Sequence, residues 1–143
     1  LADDGVLVCV DTFAGSEEHD KLELTDLRKT FDANIAKHKS EKQTVTVIQD
    51  TSYKGLADLI HYEMQFDFIY IDGSHTAPDV MTDACMAFGL LKSGGIMLFD
   101  DYLWTDMPGL LHRPKLAVDL FCTLFSEKSE LLMLGYQLAI KKL

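Results

Sequence analysis

Phe66-Asp67-Phe68-Ile69-Tyr70-Ile71-Asp72-Gly73-Ser74-His75 is the stretch on which the fold turns. Apart from Asp67 it is apolar up to Ile71, and it then ends abruptly in a carboxylate, a glycine, a hydroxyl and an imidazole. Unbroken apolarity over so short a run suits a strand covered on both faces, as in a parallel sheet, and the polar residues mark where the chain leaves it. Working outward, Val6 to Val10 and Thr44 to Gln49 read as two earlier strands, and Ile96 to Phe99 as a later one. Between them, Leu24, Leu27, Phe31 and Ile35 recur at spacings of three and four, which predicts a helix from about Leu22 to His38 with Thr25 and Asp26 as candidate caps. Leu56, Leu59 and Ile60 line a second helix starting near Ser52. A third runs from about Pro78 to Leu91, with Lys92-Ser93-Gly94-Gly95 closing it.

Strands alternating with helices imply right-handed crossovers and an α/β, doubly wound, mostly parallel sheet. The tail departs from this pattern. After a helix at about Lys115 to Phe125, the runs Glu130 to Leu134 and Tyr136 to Lys141 are separated by Gly135, a link short enough to favour an antiparallel hairpin. No internal repeat, low-complexity stretch or linker interrupts the chain, so residues 1–143 are expected to form a single domain.

With 143 residues, 48% hydrophobic and 25% charged, the chain has the composition of a globular protein with a packed core. Its formal net charge of −10, with no basic run, argues against nucleic-acid binding through phosphates. No apolar run approaches the ~20 residues that span a bilayer, so no membrane partner is expected. Cys9, Cys85 and Cys122 are odd in number, widely spaced and set in apolar surroundings, which points away from a disulfide framework and towards a reducing, cytoplasmic setting. The chain begins at Leu1 rather than Met and enters a strand within a few residues, which reads as a piece of a longer protein.

In an open parallel sheet the ligand crevice lies beyond the carboxyl ends of the strands. Here those ends are Asp11-Thr12-Phe13, Asp50-Thr51-Ser52, Asp72-Gly73-Ser74-His75 and Asp100-Asp101-Tyr102. Asp11 either accepts hydrogen bonds from the two hydroxyls of a ribose or caps its own loop; Asp50 either receives an adenine amino group or caps the following helix. Asp72, Asp100 and Asp101 are harder to explain as structure, since converging carboxylates repel unless a cation or proton intervenes, and an all-oxygen set suits Mg²⁺. The alternative is that one of Asp100 and Asp101 turns to solvent. His75 is placed to take a proton from a hydroxyl nucleophile, or is a loop-packing residue. Phe13, Tyr102 and Trp104 lie on the same loops and are candidates to stack on a ligand, whereas Phe66, Phe68, Tyr70, Met81, Met86, Phe88 and Phe121 read as packing.

The run from Phe66 to His75, with Leu91-Lys92-Ser93-Gly94-Gly95-Ile96 and Asp100-Asp101-Tyr102, resembles the fourth and fifth strands of class I S-adenosylmethionine-dependent methyltransferases. Within them it is most similar to the small-molecule O-methyltransferase branch that includes macrolide-sugar enzymes. Asp11-Thr12-Phe13 with Gly15-Ser16 and Glu18-His19 resembles that group's second-strand loop, and Leu134-Gly135-Tyr136-Gln137-Leu138-Ala139 its last hairpin. The resemblance implies a Rossmann-like fold and the cofactor S-adenosyl-L-methionine, held by Asp11, Thr12, Phe13, Asp50, Thr51 and Asp72. It also implies Mg²⁺ on Asp72, Asp100 and Asp101, catalysis by His75 with Asp72, and a small-molecule acceptor. The family's first strand and its Gly-rich loop have no counterpart in the sequence, and a sheet edge left open in this way is expected to recruit another chain, such as a second copy. Two other functions share these features: a nicotinamide-dependent oxidoreductase with a ribose-binding Asp, and a non-catalytic, truncated module that binds or oligomerises.

Overall fold

The computed structural model describes residues 2–15 and 26–143. The chain forms two compact units, Leu1–Gly55 and Leu56–Leu143. In the first, β1 (Val6–Val10) and β2 (Thr44–Ile48) pair in parallel, from Val6 opposite Thr44 to Val10 opposite Ile48, and α1 (Leu27–His38) connects them. The expected helix start at Leu22 and the candidate cap Thr25 lie outside the described residues, as does His19. Asp26 does not cap α1: its backbone is left-handed, with φ 71°, and its side chain makes no capping bond. The helix α2 (Ser52–His61) begins after β2. Gly55 lies so close to Val10 that a Cβ there would overlap the valine side chain, which is why the first turn of α2 carries a residue that otherwise weakens helices.

The second unit holds β3 (Phe66–Ile71), α3 (Ala77–Leu90), β4 (Leu91–Phe99), a 3-10 turn at Leu110–His112, α4 (Pro114–Leu124), β5 (Ser129–Leu134) and β6 (Leu138–Lys142). Its sheet has the order β3-β4-β6-β5, with β3 and β4 parallel and β6 antiparallel to both β4 and β5. The fold is therefore Rossmann-like α/β with a C-terminal antiparallel hairpin, and its described strands divide between two sheets.

Two boundaries differ from the sequence reading. Lys92 to Gly95 do not close α3 but belong to β4, where they form an irregularity: Leu91 pairs with Phe66, and the register resumes only at Ile96 opposite Phe68. Gly94 sits at φ +80°, and a Cβ on Gly95 would come within 2.9 Å of the Lys92 carbonyl, so both positions demand glycine for reasons unconnected with a helix end. The end of α3 is instead satisfied from β6, where Lys142 Nζ donates to the carbonyls of Phe88 (2.8 Å) and Leu91 (2.7 Å). In the hairpin, Tyr136 and Gln137 belong to the turn, and the last strand starts at Leu138.

The core of this unit is formed by α3, α4 and the middle of the sheet: Ala87 and Phe88, Val118 and Phe121, Met97 and Phe99, and Ile140 are all buried. Phe121 stacks on Phe125 with ring centroids 4.4 Å apart and meets Phe88 and Phe99 edge-on at 5.6 Å. Phe68 and Tyr70, expected as packing, are 54% and 44% exposed. Among the described strands β3 pairs with β4 alone, which leaves one edge open and its outer side chains uncovered. No described helix is long and apolar enough to cross a membrane.

Candidate active site

Parallel pairing of Ile71 with Phe99 makes the next residue of each strand emerge side by side, and the ladder continues through Asp100 N–H to the Ile71 carbonyl at 2.9 Å. This brings Asp72, Asp100 and Asp101 together, with one carboxylate oxygen of each lying within 4.8 Å of the others. Asp101 adopts a left-handed backbone, φ 51°, a conformation that Asp tolerates better than most residues and that marks strained, functional turns. The carboxylates border a cavity of about 10 Å³, room for about one water-sized sphere, whose wall also includes Ser74 and His75.

Each member of the acidic pair after β4 is held. Asp100 Oδ1 accepts from Gln137 Nε2 (2.9 Å) and from the N–H of Asp101 (2.9 Å), while its Oδ2 accepts from the Tyr70 hydroxyl. Burial pushes the Asp100 carboxyl up, but the bonds from Tyr70, Gln137 and Asp101 N–H outweigh it and leave the group below the usual carboxylate range. Burial, the bond to Asp100 and the surrounding carboxylates raise the Tyr70 phenol well above its ordinary value. Asp101 Oδ2 lies 2.9 Å from His75 Nε2, and the imidazole stacks on Trp104 at 4.3 Å. The Asp101 carboxylate also acts on the Tyr136 hydroxyl and raises that phenol above its ordinary value.

The first unit presents a smaller polar edge. Asp11 and Asp50 follow adjacent parallel strands, with Asp11 N–H donating to the Ile48 carbonyl at 3.1 Å. Asp11 Oδ1 accepts from Phe13 N–H at 2.7 Å, the loop-capping bond, and Thr12 Oγ1 accepts from Ala14 N–H at 3.2 Å. Asp50 Oδ1 accepts from Thr51 N–H at 2.8 Å and faces Lys54 at 3.3 Å; the Thr51 bond is the main reason its carboxyl lies below the usual range. Phe13, left-handed at φ 55°, packs edge-on against Phe31 at 5.4 Å under the Arg28 guanidinium. The structure gathers Asp72, His75, Asp100 and Asp101 within the second unit, and within the first it sets Asp11, Thr12, Phe13, Asp50 and Thr51 at the ends of β1 and β2.

Tyr102 is not a stacking platform. It is buried, and its hydroxyl donates to Asp119 (2.8 Å) and accepts from Lys115 Nζ (2.6 Å), so the residue ties the loop after β4 to α4. Tyr70, Tyr136 and Gln137 were not singled out as site residues from sequence. For Tyr70 the alternation along β3 carried a usable signal, since it stands two positions before Asp72 and so faces the same side of the sheet.

A family whose description is methyltransferase domain matches residues 1–102. No curated protein matches significantly. Among solved structures, a protein of Corynebacterium glutamicum superposes with TM-score 0.68 at 18% identity, covering 99% of this chain and 62% of that one. An O-methyltransferase from Bacillus cereus, in complex with S-adenosylhomocysteine (SAH), gives 0.64 at 16% identity, covering 97% and 74%. MycE methyltransferase of the mycinamycin biosynthetic pathway, in complex with Mg and SAH, gives 0.58 at 17%, covering 99% and 45%. The chain thus spans from under half to about three quarters of the length of these relatives, and at such identities the likeness is one of fold.

Proposed function

This chain belongs to the methyltransferase-domain family, and we propose that it takes part in S-adenosylmethionine-dependent methyl transfer to a hydroxyl of a small molecule, assisted by a divalent cation. The observation that carries this reading is the convergence of three carboxylates and an imidazole on one small cavity at the ends of β3 and β4. The donor set fits a hard cation: all oxygen, anionic, and close enough for one ion to reach all three. When bound, the cation lowers the pKa of the acceptor hydroxyl and orients it, and S-adenosylmethionine supplies an electrophilic methyl group.

In this reading Asp11, flanked by Thr12 and Phe13, receives the ribose hydroxyls with the lone pairs left over from its loop bond. Asp50 and Thr51 receive the adenine, and Asp72 borders both the cofactor and the cation. The new oxygen–carbon bond forms as the carbon–sulfur bond breaks, and the hydroxyl proton passes to His75. Nε2 is the nitrogen assigned to receive it, because Nδ1 is sealed from solvent. Nε2 faces Asp101 at 2.9 Å and donates to it in that pose, so the neutral ring must carry its proton on Nδ1, and Asp101 must yield, before Nε2 accepts a proton. The chain acts in the reducing cytoplasm, where Cys9, Cys85 and Cys122 stay as the free thiols they are here.

Titration calorimetry with SAH tests the reading on the intact chain. Heat of binding supports it, whereas uptake of NAD in its place, or silence towards both, overturns it. In an enzyme assay, unchanged turnover in Asp72→Ala and His75→Ala proteins rejects the roles given to those two residues.

A further inference from the structure

The turn between β5 and β6, Gly135 to Gln137, reaches the acidic loop through two hydrogen bonds and the Tyr136 ring. Gln137 Nε2 donates to Asp100 Oδ1 at 2.9 Å, the Tyr136 ring lies where the Asp101 carboxylate acts on its hydroxyl, and the Tyr136 carbonyl accepts from Leu103 N–H at 3.3 Å. The turn is itself closed by Gly135 N–H on the Gln137 carbonyl at 2.9 Å, which fixes where the two side chains start. We propose that Gln137, with Tyr136 beside it, is a positioning residue that presents Asp100 and Asp101 to a divalent cation; the proposal rests on the cation reading above.

A carboxylate has about four lone-pair sites. On Asp100, Gln137 and Asp101 N–H occupy both sites of Oδ1, and Tyr70 occupies one of Oδ2. One site on Oδ2 is left. Asp100 therefore meets a cation through a single oxygen in a fixed direction, and Gln137 is the group that keeps Oδ1 from competing. Without its amide the carboxyl loses one of the three bonds that hold its rotation, and part of the ligand geometry becomes an entropic cost of binding. The hairpin has a second consequence: it makes the cation site depend on a segment 37 residues further along the chain than Asp100.

The experiment is Mn²⁺ binding to the intact chain, followed by electron paramagnetic resonance of the free ion, for wild type, Gln137→Met and Tyr136→Phe. Methionine keeps the length of glutamine and removes the donor; phenylalanine removes a hydroxyl from an exposed ring. We expect Mn²⁺ affinity to fall about tenfold in Q137M, as loss of a ligand's supporting partner does elsewhere, with a smaller fall in Y136F and the urea midpoint kept in both. Wild-type affinity in both variants overturns the brace alone. Wild-type protein that takes up no Mn²⁺ overturns the cation reading, and the brace with it. If Q137M unfolds, Y136F decides by the same measure.

Discussion

Asp72→Asn should stabilise the chain without a cation and destabilise it, relative to wild type, with one. The three carboxylate oxygens lie within 4.8 Å of one another. At that separation two unit charges repel by about 0.9 kcal/mol in water and by about 3.5 kcal/mol at an effective dielectric constant of 20. Asp72 is exposed and its two neighbours are half-buried, so the lower figure governs each of its pairs, and neutralising it relieves roughly 1–2 kcal/mol. For a chain of 143 residues that is a rise in Tm of about 3–7 °C in EDTA. A cation that binds only the folded chain, present at about one hundred times its dissociation constant, adds about 2.7 kcal/mol to wild type. The variant, left with two carboxylates, forfeits most of that gain, so the order of the two proteins reverses. Scanning calorimetry in EDTA and then in Mg²⁺ reads both halves. A variant that melts below wild type in EDTA, or one that keeps the full Mg²⁺ shift, refutes the reasoning.

Tyr70→Phe removes a donor from Asp100, whose folded-state carboxyl lies below its unfolded value of about 3.9. A depressed carboxyl contributes stability that is complete above the unfolded value and lost as pH falls through the folded one, so raising the folded value narrows that window. Acid unfolding of Y70F, followed by circular dichroism, should therefore set in at higher pH than that of wild type; an unchanged midpoint counts against the bond. Phe121→Ala empties the centre of the α3–α4–sheet core, where Phe121 is fully buried among Phe88, Phe99 and Phe125. It should cost about 3–5 kcal/mol, which moves the urea midpoint by about 2 M at a slope near 2 kcal/mol/M. A loss below about 1 kcal/mol contradicts the packing described.

The features legible in the sequence are those that local chemistry decides. β3 was readable to the residue, because its apolar run and its polar end both lie within residues 66–75. The same holds for Asp72, Asp100 and Asp101, whose meeting follows from parallel pairing alone. Where two structures use one signal, the sequence misleads: Gly94-Gly95 serves a strand irregularity here and a helix end elsewhere, and only the opposing Asp67 carbonyl and Leu91 side chain tell them apart. Tyr102 shares its loop with Asp101 and reads as a crevice aromatic, yet Lys115 and Asp119 on α4 claim its hydroxyl, a contact that no spacing within the loop foretells. Gln137 was quoted only as part of a hairpin, because its partner is fixed by the β4–β6 register and not by neighbouring sequence.

The choice of donors around Asp100 and Asp101 bears on why these acids lie together at all. Elsewhere the chain sets cations against its aspartates: Arg28 on Asp32, Lys54 on Asp50, Lys92 on Asp67 and Lys115 on Asp119. Asp100 is held instead by a phenol, an amide and a backbone N–H, and Asp101 by an imidazole. Neutral donors orient a carboxylate and stabilise its ionised form without cancelling its charge. A lysine in the place of Gln137 would satisfy Asp100 equally well and would neutralise the cluster. An amide there leaves the negative charge aimed at the cavity, where a divalent ion, or the positive sulfonium of a methyl donor, gains the Coulomb energy that the protein has not already used.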